Sequence, residues 1–207
     1  KYVKFHSRRG ELRMKLGNMA LVRSGLVLGR KQAREKTEYR YPLLNLKSIH
    51  PSGCIDTSFC ETFDAVEPLN PEYLTHTGDV VIRLTAPYTA VLITEGLEGY
   101  VIPSSFVVVR ANKNLLLPEY LFWLINSQSV KRQISESAVS TILGSVKPRY
   151  FADYEMDVFP LSHQRVLAGL NELAHRETRL LAELAAEKEK YYDLMINQLF
   201  TEMKRGN

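Results

Sequence analysis

Cysteine is scarce in this chain of 207 residues: Cys54 and Cys60 are the only two. Two thiols do not build a disulfide framework, which points to a reducing compartment. No apolar run approaches the ~20 residues that a membrane-spanning helix needs, and no secretory leader pattern opens the chain. A soluble, cytoplasmic protein is therefore expected. Glycine-rich phosphate or S-adenosylmethionine loops are missing, as are a nucleophile elbow and a His-Glu-x-x-His helix. Those gaps argue against a standalone methyltransferase, nuclease or hydrolase. "NPEY" (Asn70–Tyr73) is one residue away from the Asn-Pro-Pro-Tyr of N6-adenine methyltransferases. With Glu72 in place of the second proline and no cofactor loop, it reads as an ordinary turn. His50, Cys54, Cys60 and His76 match no zinc spacing with close cysteine pairs, so no metal site and no cofactor are expected. Asp79 reads as a strand-start residue and not as an acid catalyst, and no catalytic residue is assigned.

Charge is present but unevenly spread. Residues 1–60 carry 13 Lys/Arg against 4 Asp/Glu, a net of +9, whereas residues 61–100 carry 1 against 7, a net of −6. The remainder is close to neutral. A basic N-terminal third suits a surface that faces a polyanion, although a solvated lysine-rich face gives the same count.

Punctuation by Gly and Pro divides the first 160 residues into short segments. Arg8-Arg9-Gly10 reads as a loop within a polar, basic opening. "MALVRSGLVLG" (Met19–Gly29) is apolar and broken by Gly25 and Gly29. "YPLLNL" (Tyr41–Leu46) reads as a buried strand and "HPSGC" (His50–Cys54) as a turn. "GDVVIRL" (Gly78–Leu84) reads as a strand with Val80, Ile82 and Leu84 on one face. "YVIPSSFVVVR" (Tyr100–Arg110) gives two strand pieces around Pro103, and "LPEYLFWLIN" (Leu117–Asn126) a helix with Pro118 in its first turn. "LGSVKPRYF" (Leu143–Phe151) reads as a loop and "YEMDVFPL" (Tyr154–Leu161) as a last strand. Many short strands with few helices predict an α+β globular domain over residues 1–160, with a mostly-β domain as the alternative.

Residues 161–207 differ in kind. They contain no proline and, before Gly206, a single glycine, Gly169; Ser162 is placed to cap a helix that would run ~63 Å to Met203 at about 1.5 Å per residue. Val166, Leu170, Leu173, Leu180, Leu184, Tyr191 and Leu194 recur in alternating steps of four and three, with Glu177 and Glu187 in the gaps. That is the 3.5-residue period of a coiled coil. Leu167, Leu181, Met195 and Leu199 widen the stripe. The two seam glutamates set register or pair with a base such as Arg176 or Arg179. A helix lying on its own domain is the alternative; its length favours a partner.

The layout as a whole resembles the specificity subunits of Type I restriction-modification systems. "KLGNMALVRSGLVL" (Lys15–Leu28), "YPLLNLKSIHPSGCID" (Tyr41–Asp56), "TGDVVIRL" (Thr77–Leu84), "VIPSSFVVVR", "LPEYLFWLINS" and "LGSVKPRYFADYEMDVFPLSHQRVLAGL" (Leu143–Leu170) carry the resemblance in order and spacing. It implies a target-recognition domain followed by a long coiled-coil helix, with no catalysis of its own. The implied partners are double-stranded DNA, a methyltransferase subunit and, through that complex, a restriction subunit. The family's usual member has two recognition domains and two helices. This chain has one of each and so resembles a half-subunit, which implies a homodimer.

Given that resemblance, DNA contacts are expected from Arg30, Lys31 and Arg34 in the basic stretch, and from Ser145, Lys147 and Arg149 in the later loop. Tyr39, Tyr41 and Tyr150 stand beside these charges, where they would pack on sugar or base, or equally in the core or its rim. Leu170, Leu173, Leu180, Leu184, Tyr191 and Leu194 would form the dimer seam. A rival reading from another class is a coiled-coil assembly factor whose globular domain binds protein and has no DNA specificity.

Overall fold

The computed structural model describes residues 12–138 and 144–205. The chain divides into two compact units, Lys1–Arg165 and Val166–Asn207. Arg8, Arg9, Gly10, Leu143 and Gly206, which enter the sequence reading above, lie outside the described residues.

In the first unit, β1 (Leu12–Lys15), β2 (Ala20–Ser24), β3 (Arg40–Leu43), β4 (Glu61–Asp64), β5 (Asp79–Arg83), β6 (Ala90–Leu92) and β7 (Phe106–Ala111) precede α1 (Pro118–Asn126), α2 (Gln128–Ala138) and α3 (Pro148–Asp153). β8 (Glu155–Val158) follows, and α4 (Leu161–Arg205) begins in this unit and fills the second. The main sheet is antiparallel with order β2-β7-β5-β6, while β1 pairs with β8 and β3 with β4. Mixed strands and helices make this an α+β fold.

β5 departs from the alternating strand expected of it. Val80, Val81 and Ile82 are all fully buried, so both faces of the strand are covered and not only that of Val80 and Ile82. On one side Val81, Val91, Val108 and Phe106 pack with Leu44, Ile49, Ile93 and Ile102. On the other side of the sheet Val107 and Val109 are equally enclosed, and α1 packs against β5 and β6. A strand buried on both faces reads as a continuous apolar run, which is what Val80–Ile82 is. A second cluster, Leu26, Leu43, Phe63, Ala65, Leu69 and Val101, lies beneath β3 and β4.

The outer edge of β6 is covered at Ala90 by one side chain. Asn126, the last residue of α1, accepts from the Ala90 amide at 3.1 Å and donates to the Ala90 carbonyl at 3.0 Å. Edge backbone groups left bare would be a template for unwanted pairing.

Several segments differ from the sequence reading: β4 and β6 are unassigned above, and of the two strand pieces expected around Pro103 only β7 is a strand, Val101 and Pro103 making isolated bridges. The polar opening contributes strand β1. Residues 128–138, unassigned above, form α2, whose buried face is Val130, Ile134 and Ala138. Pro148–Asp153, expected as loop, is α3, because Pro148 at the first position presets helical φ. Ser162 is not a cap, since α4 already includes Leu161; the Pro160 carbonyl takes the first amides, from His163 at 2.9 Å and Gln164 at 3.1 Å.

The start of α4 is fixed by a polar side chain that is 0% exposed. Gln164 Oε1 accepts from the Leu117 amide at 2.8 Å, and Nε2 donates to the Leu115 and Phe159 carbonyls at 2.9 and 2.8 Å.

The two glycines that break the Met19–Gly29 segment serve different ends. A Cβ on Gly25 would overlap the carbonyl oxygens of Ile102 and Pro103, whereas one on Gly29 would meet nothing within 4 Å. Gly25→Ala should therefore cost about 2 kcal/mol or more in urea unfolding, through forced backbone movement. Gly29→Ala should leave stability unchanged or raise it by up to ~1 kcal/mol. Equal midpoints for the two variants would show that the close approach at Gly25 has no energetic weight.

Candidate nucleic-acid interface and pairing helix

The basic stretch is a loop held by main-chain bonds. After β2, the Leu26 amide donates to the Ile102 carbonyl at 2.6 Å, and a 3-10 turn spans Leu28–Arg30. The Ala33 amide then bonds the Asp64 carbonyl at 2.8 Å, and the Val66 amide bonds the Lys31 carbonyl at 3.0 Å. The loop therefore hangs on the end of β4. Arg30 and Arg34 are exposed. Lys31 is not a free cation: its ammonium pairs with Glu67 and holds that carboxyl below its usual range.

This pairing is part of a wider pattern. The acidic middle segment folds onto the basic N-terminal third, so the charge asymmetry along the chain is partly cancelled in space. Arg40 Nε lies 3.0 Å from Asp64 Oδ1 in addition to the Lys31–Glu67 pair, and from further along the chain Asp153 takes Lys15 at 3.0 Å and Glu155 takes Arg13 at 3.6 Å. Apart from Asp64, whose side chain is 23% exposed, these groups are substantially open to solvent, and such pairs stabilise little. Their effect is on what remains: of the three expected contacts in this loop, Arg30 and Arg34 have no ion-pair partner among the described residues.

The second loop is anchored elsewhere. Ser145 bridges to Thr85, the Val146 amide bonds the Leu84 carbonyl at 2.8 Å, and the Tyr88 hydroxyl donates to the Gly144 carbonyl at 2.9 Å. Lys147 is exposed immediately before α3. Arg149 has a side chain 90% exposed and reaches Asp153 at 3.2 Å. Lys15 first and Arg149 second hold the Asp153 carboxyl below its usual range. The six candidates thus form two clusters: one in the loop on the end of β4, and one anchored to the segment after β5, in which Arg149, expected on a loop, lies in the first turn of α3.

The tyrosines beside these charges have structural partners. Tyr39 and Tyr41 pack on the second apolar cluster, and the Tyr41 hydroxyl accepts from the Leu69 amide at 3.2 Å. Tyr150 meets Phe151 edge-on and Tyr154 at a tilt, and burial pushes its hydroxyl pKa up. His50 Nδ1 lies 2.7 Å from Ser52 Oγ and His76 Nε2 lies 3.0 Å from the Pro71 carbonyl. Cys54 is exposed, and burial raises the Cys60 thiol. Among the described residues no group of three or more His, Cys, Asp and Glu is placed to hold a metal ion, and no helix is long and apolar enough to cross a membrane.

A polar cluster on the main sheet was not legible beforehand. Asp79, its side chain 1% exposed, accepts from Arg110 Nε at 2.7 Å and Nη2 at 2.8 Å, and from the His76 amide at 3.0 Å. The carboxylate holds the Arg110 guanidinium above its ordinary pKa. Beside it, Arg23 Nε and Nη2 are buried with no hydrogen-bond partner among the described residues, and burial, then Arg110, push its pKa down. The available signal was an arginine inside the apolar strand "ALVRS".

α4 has 45 residues and is roughly 68 Å long at 1.5 Å per residue. In the unit that begins at Val166, Leu170 is 60% exposed, Leu173 62%, Leu180 50%, Leu184 53%, Tyr191 58% and Leu194 64%. Six large side chains on one stripe, all open to water in the single chain, form an apolar surface that lacks a cover.

The sequence matches no protein-family model and no curated protein. Solved structures do match. A chain from a type I R-M system, described for its complex assembly and conformational transition, aligns with a TM-score of 0.65 at 20% identity, over 97% of this chain and 51% of that one. The HsdS subunit from Thermoanaerobacter tengcongensis aligns with a TM-score of 0.66 at 21% identity, over 92% and 48%. The Type-I restriction-modification S subunit from M. genitalium gives 0.51 at 11%, over 82% and 40%. The chain shares the fold of Type I specificity subunits and spans about half the length of the first two structures.

Removing one partner of the Asp79–Arg110 pair should destabilise the domain. Asp79→Asn is expected to cost about 2 kcal/mol, below the ~3–5 kcal/mol of a fully enclosed pair because the Arg110 side chain is 38% exposed. Pairing Asp79→Leu with Arg110→Met should recover part of that loss in thermal melts. A neutral single variant would mean that the pair is dispensable.

Proposed function

We propose that the chain is a DNA-specificity subunit of a Type I restriction-modification system, with one target-recognition domain, residues 1–160, and one pairing helix, residues 161–207. The observation that supports this reading above others is the fold likeness: nearly the whole chain aligns with about half of a specificity subunit. A fold of two domains and two helices, halved, yields one of each. Two copies rebuild the whole.

In this reading the protein recognises DNA and catalyses nothing itself. Arg30 and Arg34, with Lys31 once released from Glu67, bind phosphates; Ser145, Lys147 and Arg149 approach base edges. Leu170, Leu173, Leu180, Leu184, Tyr191 and Leu194 bury against a second copy in antiparallel pairing. The assembly docks a cytoplasmic methyltransferase subunit and, through it, a restriction subunit. Two identical domains related by a two-fold axis would read identical half-sites in inverted orientation, across a spacer of fixed length and arbitrary sequence.

Reversing Arg30, Lys31 and Arg34 to glutamate should weaken binding to every duplex and flatten the salt dependence, each lost phosphate contact removing about 0.9 from the slope. Within that set, Arg30→Glu and Arg34→Glu should each cost more than Lys31→Glu. Changes at Lys147 or Arg149 should alter sequence preference in a randomised library. Duplex binding by the triple variant equal to the parent's would remove the loop from the interface. Absence of any salt-dependent duplex binding by the parent protein would favour the assembly-factor reading. Mapping of methylated sites with the partner methyltransferase should yield an inverted repeat with one spacer length.

A further inference from the structure

The seam of α4 is symmetric about its own middle. Ala182 lies near the centre of the helix, which runs from Leu161 to Arg205. If two copies run antiparallel with the two-fold axis at Ala182, Leu180 faces Leu184 of the other copy, Leu173 faces Tyr191, and Leu170 faces Leu194. The two glutamates that interrupt the seam, Glu177 and Glu187, then face each other. Shifting the pairing by one heptad in either direction sets each glutamate against a leucine of the other copy, which offers a carboxylate no polar partner. The central register is the one that sets the two glutamates together and pairs apolar with apolar at Leu170–Leu194, Leu173–Tyr191 and Leu180–Leu184.

The charges flanking the seam fit the same register. Arg176 precedes Glu177, and Lys190 lies one turn beyond Glu187, to which it is already bonded at 2.7 Å within its own chain. Glu177 has no ion-pair partner among the described residues of its own chain. Pairing about Ala182 brings Arg176 and Glu177 of one copy beside Glu187 and Lys190 of the other, two bases with two acids in a single layer. The axis repeats that layer on the other side. Glu183, which meets its own counterpart across the axis, is screened by Arg179 at 3.7 Å in its own chain.

We infer that α4 pairs with a second copy of itself in one register, centred on Ala182, and that two charge-balanced layers of Arg176, Glu177, Glu187 and Lys190 set that register. This rests on the two-copy, antiparallel reading above and deepens it: the apolar residues supply affinity, and the polar layers reject displaced alignments, since out of register Glu177 is set on an apolar side chain without the other copy's Lys190 beside it.

The test uses the full-length chain and analytical ultracentrifugation across a concentration series. Glu177→Lys leaves each layer with three bases and one acid, and Lys190→Glu leaves it with three acids and one base. Each single change should weaken dimerisation about tenfold or more, like charges facing each other at an interface being strongly unfavourable. Combined in one chain they restore balance in both layers, and the dissociation constant should return to within about threefold of the parent's. Positions 177 and 190 stand about 20 Å apart along one helix, at 1.5 Å per residue, so neither the monomer nor a parallel in-register dimer allows that rescue. In a background with Cys54→Ser and Cys60→Ser, a Leu173→Cys chain should cross-link oxidatively to a Tyr191→Cys chain and not to itself. A dimer in which the double variant is as weak as the singles, or in which Leu173→Cys links to its own copy, overturns the register and leaves dimerisation standing. A parent chain monomeric at micromolar concentration overturns both.

Discussion

A carboxamide shut away from water must satisfy every donor and acceptor it carries, and Gln164 does so where the fold most needs it. Its side chain collects the Leu117 amide ahead of α1, the Leu115 carbonyl and the Phe159 carbonyl beyond β8. Three backbone groups from two chain segments, each otherwise stranded, meet on one residue in the first turn of α4. An apolar side chain of the same size would leave all three unpaired. The beginning of the helix is thus built into the first unit by geometry that a hydrophobic contact could not specify.

Electrostatics in this protein is decided by pairing more than by composition. Counted along the sequence, the first third is strongly basic and the next segment acidic. Folded, the two segments lie side by side, and Lys31 and Arg40 are matched to Glu67 and Asp64. Among the described residues, what faces solvent without an ion-pair partner is a smaller and better defined set, with Arg30, Arg34 and Lys147 prominent in it. The buried exception is Asp79, whose three hydrogen bonds make it a structural anchor for Arg110 at the sheet end.

The parts of the fold legible in the sequence are those governed by short-range rules. The α1 start at Pro118, the turn at His50–Cys54 and the long periodic α4 follow from proline φ, turn chemistry and a repeating stripe. β5 was legible as a strand, but its second buried face was not, because burial on both sides depends on which distant segments cover it. α2 escaped notice because its apolar residues Val130, Ile134 and Ala138 are widely spaced among polar ones. α3 was masked by a stretch of turn-forming residues around Pro148. Of the candidate interface, the loops could be located from charge, yet the Lys31–Glu67 pairing could not, since it joins residues 36 apart. Arg23 and Arg110 were hidden for the same reason: what brings them to Asp79 is strand pairing, with Arg110 opposite Asp79 and Arg23 one strand over.

Both candidate loops are tethered by main-chain bonds: Ala33 to Asp64, Val66 to Lys31, Val146 to Leu84. A bond between peptide groups is indifferent to the side chain it carries. The exposed side chains of Arg30, Arg34 and Lys147 can therefore be exchanged one at a time while the loop keeps its path. Such a surface behaves like type set in a fixed frame: the letters change and the frame does not, so a change in what the loops present requires neither a new fold nor a loss of the old one.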